Sequence, residues 1–216
     1  MGDVKERPTL RDERAEVTRR RIAEAARTLF WNRGYGATTL RAVAEEAGVA
    51  VQTVYAVYGS KAGILHALRD TVLRQPTAEA LFGDAMREGD AERKLELFAR
   101  SIRQRWEFGH DVVAIHRDAS ATDPSVRAEV EQVLGVRRAG IARLARSLEA
   151  ELAGVDLAHA TAVIDALTLP EVYAELTSIQ GWSADEFQAW LARCLKNQLL
   201  GGRRAGPETS PEVVRE

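Results

Sequence analysis

The sequence predicts an all-α chain, in which a small N-terminal domain with a helix-turn-helix precedes a larger helical body. Three observations carry this. Apolar residues recur at helical spacing along most of the chain. No segment alternates apolar and polar residues between turn signals as a half-buried strand would. Residues 38–61, TTLRAVAEEAGVAVQTVYAVYGSK, read as two short helices joined by a tight turn.

In that stretch Ala42, Val43 and Ala47 give the first helix a small apolar face. Thr38 or Thr39 can cap its start by accepting a bond from a backbone N–H one turn on. Gly48 stands where a helix end needs positive φ, and Val49 plugs the angle between the helices. The second helix, residues 50–58, turns Val54 and Val57 inward and leaves Val51, Gln52, Thr53, Tyr55 and Tyr58 elsewhere. Gln bonds an adenine edge, Thr reaches base or phosphate, and a tyrosine hydroxyl reaches phosphate. The spacing alone is equally that of an ordinary corner in a helical bundle.

A combination of residues separates these readings. Thr38-Thr39, Val43-Ala44, Ala47-Gly48-Val49, Thr53-Val54-Tyr55 and Ser60-Lys61 resemble the DNA-binding signature of the TetR family of bacterial transcriptional regulators. The likeness extends back through Arg21-Ile22, Ala25-Ala26, Leu29-Phe30 and Gly34-Tyr35, and covers about residues 18–73. Two positions depart from it: Tyr58, where the family often has Phe, and Ala62-Gly63, where an acid often follows the Ser-Lys pair. The second departure weakens the start of the fourth helix. The resemblance implies DNA contacts from Thr39, Arg41, Val51, Gln52, Thr53, Tyr55, Tyr58 and Lys61, and for Tyr35 either packing or a phosphate contact. Lys61 and the helix start beside it form a pair suited to one phosphate.

Taken in order, residues 1–13 read as a disordered arm, with Lys5, Arg7 and Arg11 available to a minor groove. Residues 14–75 form the DNA-binding domain. Its first helix carries Ile22, Ala26, Leu29 and Phe30 inward, and its last carries Ile64, Leu65, Leu68 and Val72. Gln75-Pro76-Thr77 marks the boundary, and a broken helical linker runs to Gly89. Residues 76–200 form the larger domain. Asp90 caps a helix that Gly109 breaks. Asp123-Pro124 starts a long one, by a carboxylate cap followed by Pro at the first helical position. Asp156 caps the next, Pro170 kinks it, and Ser183 with Glu186 makes a capping box for the last. Residues 201–216 read as a disordered tail.

By the same resemblance the larger domain holds an unidentified small-molecule effector and pairs with its own copy. Apolar and polar candidates for the pocket are Phe98, Ile102, Trp106, His110, Ile115, His116 and Tyr173, each of which an ordinary core would also use. Val163, Leu167, Phe187, Trp190, Leu191, Cys194 and Leu195 form the stripe expected at the dimer interface. It would bring together four helices, two from each copy, and a protomer core is the competing reading.

Charge and composition bound the function. The net charge is −2, yet residues 1–75 hold 13 Lys+Arg against 9 Asp+Glu, while the remainder holds 17 against 23. The basic end is the one with the DNA reader, a polarity that orients approach to a duplex. With 45% hydrophobic and 29% charged residues the chain is globular. No apolar run approaches the roughly 20 residues of a spanning helix, and the N-terminus lacks a signal-peptide pattern, so the expected location is cytoplasmic. A lone cysteine, Cys194, forms no internal disulfide. No nucleophile–base set, Gly-rich phosphate loop or metal motif is present, so neither enzymatic activity, cofactor nor metal is expected. The expectation is a homodimeric repressor that a small ligand releases from a palindromic double-stranded operator. The alternative is a helical interaction module without operator binding.

Overall fold

A computed structural model describes residues 9–201, and among them every regular element is a helix. The chain divides into two compact units. Among the described residues one comprises 9–76 with 105–136; the other comprises 77–104 with 137–201.

The first unit is built on α1 (Leu10–Arg33), α2 (Leu40–Ala47), α3 (Val51–Tyr58) and α4 (Lys61–Leu73). α1 begins four residues earlier than the sequence suggested. Thr9 and Asp12 form a capping box, each side chain bonding the other's backbone N–H. Asp at that position in place of the usual Glu or Gln hid the signal. Residues 10–13, expected in the arm, are therefore helical, whereas Lys5, Arg7 and the 202–216 tail lie outside the described residues. Thr39, not Thr38, caps α2, accepting from the Ala42 N–H at 3.1 Å. Gly48 ends it at φ 63°, ψ 41°. Ser60 caps α4 through the Gly63 N–H at 3.0 Å.

These helices close on Ile22, Phe30, Val43, Val54, Ile64 and Leu65, all buried. The same core includes Val112, Ile115 and Ala119 from α6 (Ala91–Thr122) and Val126 from α7 (Pro124–Arg146). Gly109 interrupts the helical path of α6, as expected. It kinks the helix, with φ −152° and ψ 19°, and a Cβ there would stand 2.3 Å from Val72 Cγ2. The glycine thus admits α4 against α6.

The second unit contains α5 (Pro76–Arg87) apart from Pro76, the first half of α6, the last part of α7, and α8 (Leu157–Leu167), α9 (Pro170–Ala174) and α10 (Ala184–Leu199). α5 is one unbroken helix where breaks were expected. Pro170 does more than kink: α8 stops at Leu167 and α9 begins at the proline. Phe187, Leu191, Leu195 and Leu199 close this core with Ile164, and Leu144 and Leu148 are likewise buried. Arg137 reaches the Asp165 carboxylate, the Asp165 carbonyl and the Thr168 hydroxyl.

Candidate nucleic-acid interface

α3 is eight residues long and buries one of them, Val54. On a helix, residues three and four apart share a face. Gln52, Tyr55 and Ala56 form such a row and are all exposed, with Tyr55 at 54%. The outward face of the second helix of the corner therefore presents an amide, a phenol and a methyl group. Val51 and Thr53 flank it, half-buried. Ala56 was missed in the sequence, although its place one turn beyond Gln52 was visible there. A methyl group in that position suits a thymine methyl. Ala50 provides no side-chain cap; the Thr53 N–H bonds the Ala50 carbonyl at 2.9 Å, and the Val51 and Gln52 N–H groups before it keep donor capacity.

Thr39 and Arg41 are also exposed on α2. Arg41 pairs with Glu45 at 3.0 Å, but both side chains are largely in solvent, and such a pair contributes little. The arginine can exchange that partner at small cost.

Two other expected contacts are engaged inside the unit. Tyr58 donates its hydroxyl to the Arg19 carbonyl at 2.9 Å and is half-buried. Lys61 Nζ donates to the carbonyls of Tyr35 at 2.6 Å and Thr38 at 3.1 Å, and approaches that of Gly36 at 3.4 Å. It also lies 4.2 Å from the centre of the Tyr35 ring. Burial lowers its pKa, partly offset by the Asp123 charge. In this structure the ammonium ties the start of α4 to the loop before α2.

Tyr35 is not available to phosphate. It is 3% exposed, its N–H bonds Asp118 at 2.9 Å, and its hydroxyl bonds Asp123 at 3.2 Å. Burial, with the Asp123 charge, pushes its pKa up to about 12. The partners are more than 80 residues away in sequence, and of the two roles the resemblance allows, packing is the one these contacts support.

The seven pocket candidates fall in both units. Phe98, Ile102 and Tyr173 are buried in the second; Trp106, Ile115 and His116 are buried in the first, where His110 is half-buried. His110 Nδ1 lies 2.8 Å from the Trp106 carbonyl. His116 Nδ1 lies 3.1 Å from that of Val112, and its buried Nε2 has no hydrogen-bond partner. Burial pulls the His116 pKa down to about 4, so the ring is neutral at pH 7.

The expected dimer stripe divides similarly. Phe187, Leu191 and Leu195 are wholly buried within the protomer and leave no surface for a partner. Val163, Leu167, Trp190 and Cys194 remain half-exposed. Burial raises the Cys194 thiol pKa. Among the described residues no cluster of three or more His, Cys, Asp or Glu could hold a metal. No helix there is long and apolar enough to cross a membrane.

Residues 22–68, which contain the corner and the core beneath it, match the family model described as bacterial regulatory proteins, tetR family. The transcriptional regulator TtgR of Pseudomonas putida is 42% identical over 60 residues, and the match spans 28% of this chain and 29% of that one. Two solved structures share the fold over nearly their whole length. The fatty acid degradation regulator FadR from Bacillus halodurans has a TM-score of 0.65 at 19% identity, covering 87% of this chain and 96% of its own. NalD, secondary repressor of the MexAB-OprM multidrug efflux pump in Pseudomonas aeruginosa, has a TM-score of 0.65 at 21% identity, covering 88% and 99%.

Proposed function

We propose, from the match of residues 22–68 to the tetR family model, that this chain is a TetR-type regulator: a homodimeric transcriptional repressor which a small-molecule ligand releases from a palindromic DNA operator. The observation that supports this most is the exposed row Gln52–Tyr55–Ala56 on the second helix of the corner. A surface helix of any bundle turns polar groups to solvent; a helix entering a major groove presents an amide and a phenol to base edges and phosphates. One such helix reads only a few base pairs. Two, held about 34–36 Å apart by a dimer, read successive turns of the same face.

In this reading Thr39, Arg41, Val51, Thr53 and the free N–H groups of α3 flank the base contacts and hold the backbone. Lys61 and Tyr58 position α3 and α4 from inside the domain. The effector binds in the larger domain, residues 76–200. Phe98, Ile102 and Tyr173, the candidates that lie in the second unit, have the apolar bulk that suits a mainly hydrophobic ligand. Val163, Leu167, Trp190 and Cys194 remain the surface for a second copy. An effector that favours one separation of the two readers lowers operator affinity by the coupling energy, typically about 1–3 kcal/mol. No catalytic step is assigned, and the location is the cytoplasm, where the operator is.

The test is selection of bound duplexes from a random library, followed by gel shifts at several salt concentrations. Enrichment of a two-fold-symmetric sequence, with affinity falling steeply as salt rises, is the expected result. Failure to retain any duplex at low salt would leave the interaction-module reading in its place.

A further inference from the structure

α1 extends well beyond the core that anchors it. Its first buried residue is Ile22, and residues 10–17 are exposed on every side, Leu10 at 75% and Val17 at 55%. The preceding capping box holds this free-standing part helical.

The charges on this overhang are sorted by face. At about 100° per residue, Arg11, Arg14 and Thr18 fall within about 60° of one another. They occupy the sector from which Ile22, Ala25 and Leu29 enter the core further along. Glu13 and Glu16 occupy the opposite side, while Asp12, which closes the capping box with Thr9, lies between, in line with the buried Phe30. Arg11 and Arg14 form no ion pair among the described residues, whereas Glu16 pairs with Arg19 at 3.0 Å. The basic side can be oriented from contacts at its root. Arg21, at its edge, donates to the Ala47 carbonyl at the end of α2 at 2.6 Å. The Arg19 carbonyl receives the Tyr58 hydroxyl from the end of α3. The arginine stripe is thus turned toward the side of the domain on which the helix-turn-helix lies.

We propose that the first two turns of α1 are a second DNA-contacting element, with Arg11 and Arg14 holding backbone phosphates beside the groove that α3 enters. The proposal rests on the DNA-binding reading above. At 1.5 Å per residue the stripe carries Arg11 about 15 Å beyond Arg21, more than the roughly 12 Å width of the major groove. Glu13 and Glu16 face away from the duplex, so the overhang is attracted best in one orientation. Phosphate contacts of this kind add affinity without sequence preference.

The full chain is titrated with a mixed-sequence 30-base-pair duplex and with a duplex selected from a random library, each across a salt series. Each phosphate contact adds about 0.9 to the slope of log affinity against log salt. Arg11→Ala/Arg14→Ala is expected to make both slopes shallower by up to about 2 and to weaken binding about tenfold at low salt, with the selected sequence unchanged. Arg11→Lys/Arg14→Lys is expected to restore the slope. Arg20→Ala, on the opposite side of α1, removes a charge as Arg14→Ala does and is expected to leave the slope as it was. Equal slopes for the wild type and the double alanine variant, or an equal loss from Arg20→Ala and Arg14→Ala, overturn the proposal while the regulator reading stands. A wild-type chain that binds neither duplex overturns both.

Discussion

α3 and α10 are both amphipathic helices, and they spend their side chains in opposite ways. α3 buries Val54 alone and exposes Gln52, Tyr55 and Ala56. α10 buries Phe187, Leu191, Leu195 and Leu199 completely, and its exposed face is mostly polar and charged. A helix with one fully buried side chain, supported by the half-buried Val51, Val57 and Tyr58, is free to use its outer face elsewhere. A helix with four anchors is part of what holds the fold. Aromatic and aliphatic density in a sequence therefore identifies a strongly held face, but not whether the partner lies in the same chain or in a second copy.

The contrast makes the largest prediction one of stability. Phe187→Ala should cost about 3–5 kcal/mol in urea unfolding, the usual range for emptying a filled aromatic site. A cost below about 1 kcal/mol would break the comparison, because Phe187 would then not be holding a core.

His116 predicts the next effect. Its ring is buried and its pKa lies at about 4 rather than the ordinary 6.5. The unfolded chain therefore binds the proton more readily, and stability falls as pH drops from about 6.5 toward 4. The contribution is at most on the order of 3 kcal/mol, from the difference between those two values. Melting temperatures at pH 7 and pH 5 should differ more for the wild type than for His116→Gln. An equal drop in both would remove His116 as the cause.

The comparison is sharpened by a pair within the first unit. Tyr55→Ala should weaken operator binding by about 1–3 kcal/mol and shift stability by no more than about 0.5 kcal/mol. Lys61→Met should do the reverse first: it strands carbonyls that now accept from an ammonium, where hydrogen bonds to a charged group contribute about 1.5–3 kcal/mol. Denaturation curves and gel shifts on both variants check this. A Lys61→Met chain that melts with the wild type but binds DNA poorly would return Lys61 to the phosphate.

The corner was legible in the sequence because its signals are local. Thr39, Gly48 and Ser60 each act within one helical turn, and each does in the structure what its residue type suggested. Asp156 and the Ser183–Glu186 box are legible for the same reason. The roles that were not legible depend on distant partners. Tyr35 is withdrawn from the surface by Asp118 and Asp123, and Tyr58 by the Arg19 carbonyl. Neither pairing leaves a mark in the spacing of nearby residues. The stripe of α10 was visible as a stripe, but its closure on Ile164 and the rest of the protomer core required coordinates.

The seat of Lys61 has a mechanical consequence. One ammonium holds carbonyl oxygens of Tyr35 and Thr38 at the mouth of the loop from which α2 departs. A slide of α4 along its axis cannot occur without breaking those bonds or dragging the loop with it. A displacement of α4 that keeps those bonds therefore carries the start of α2 with it.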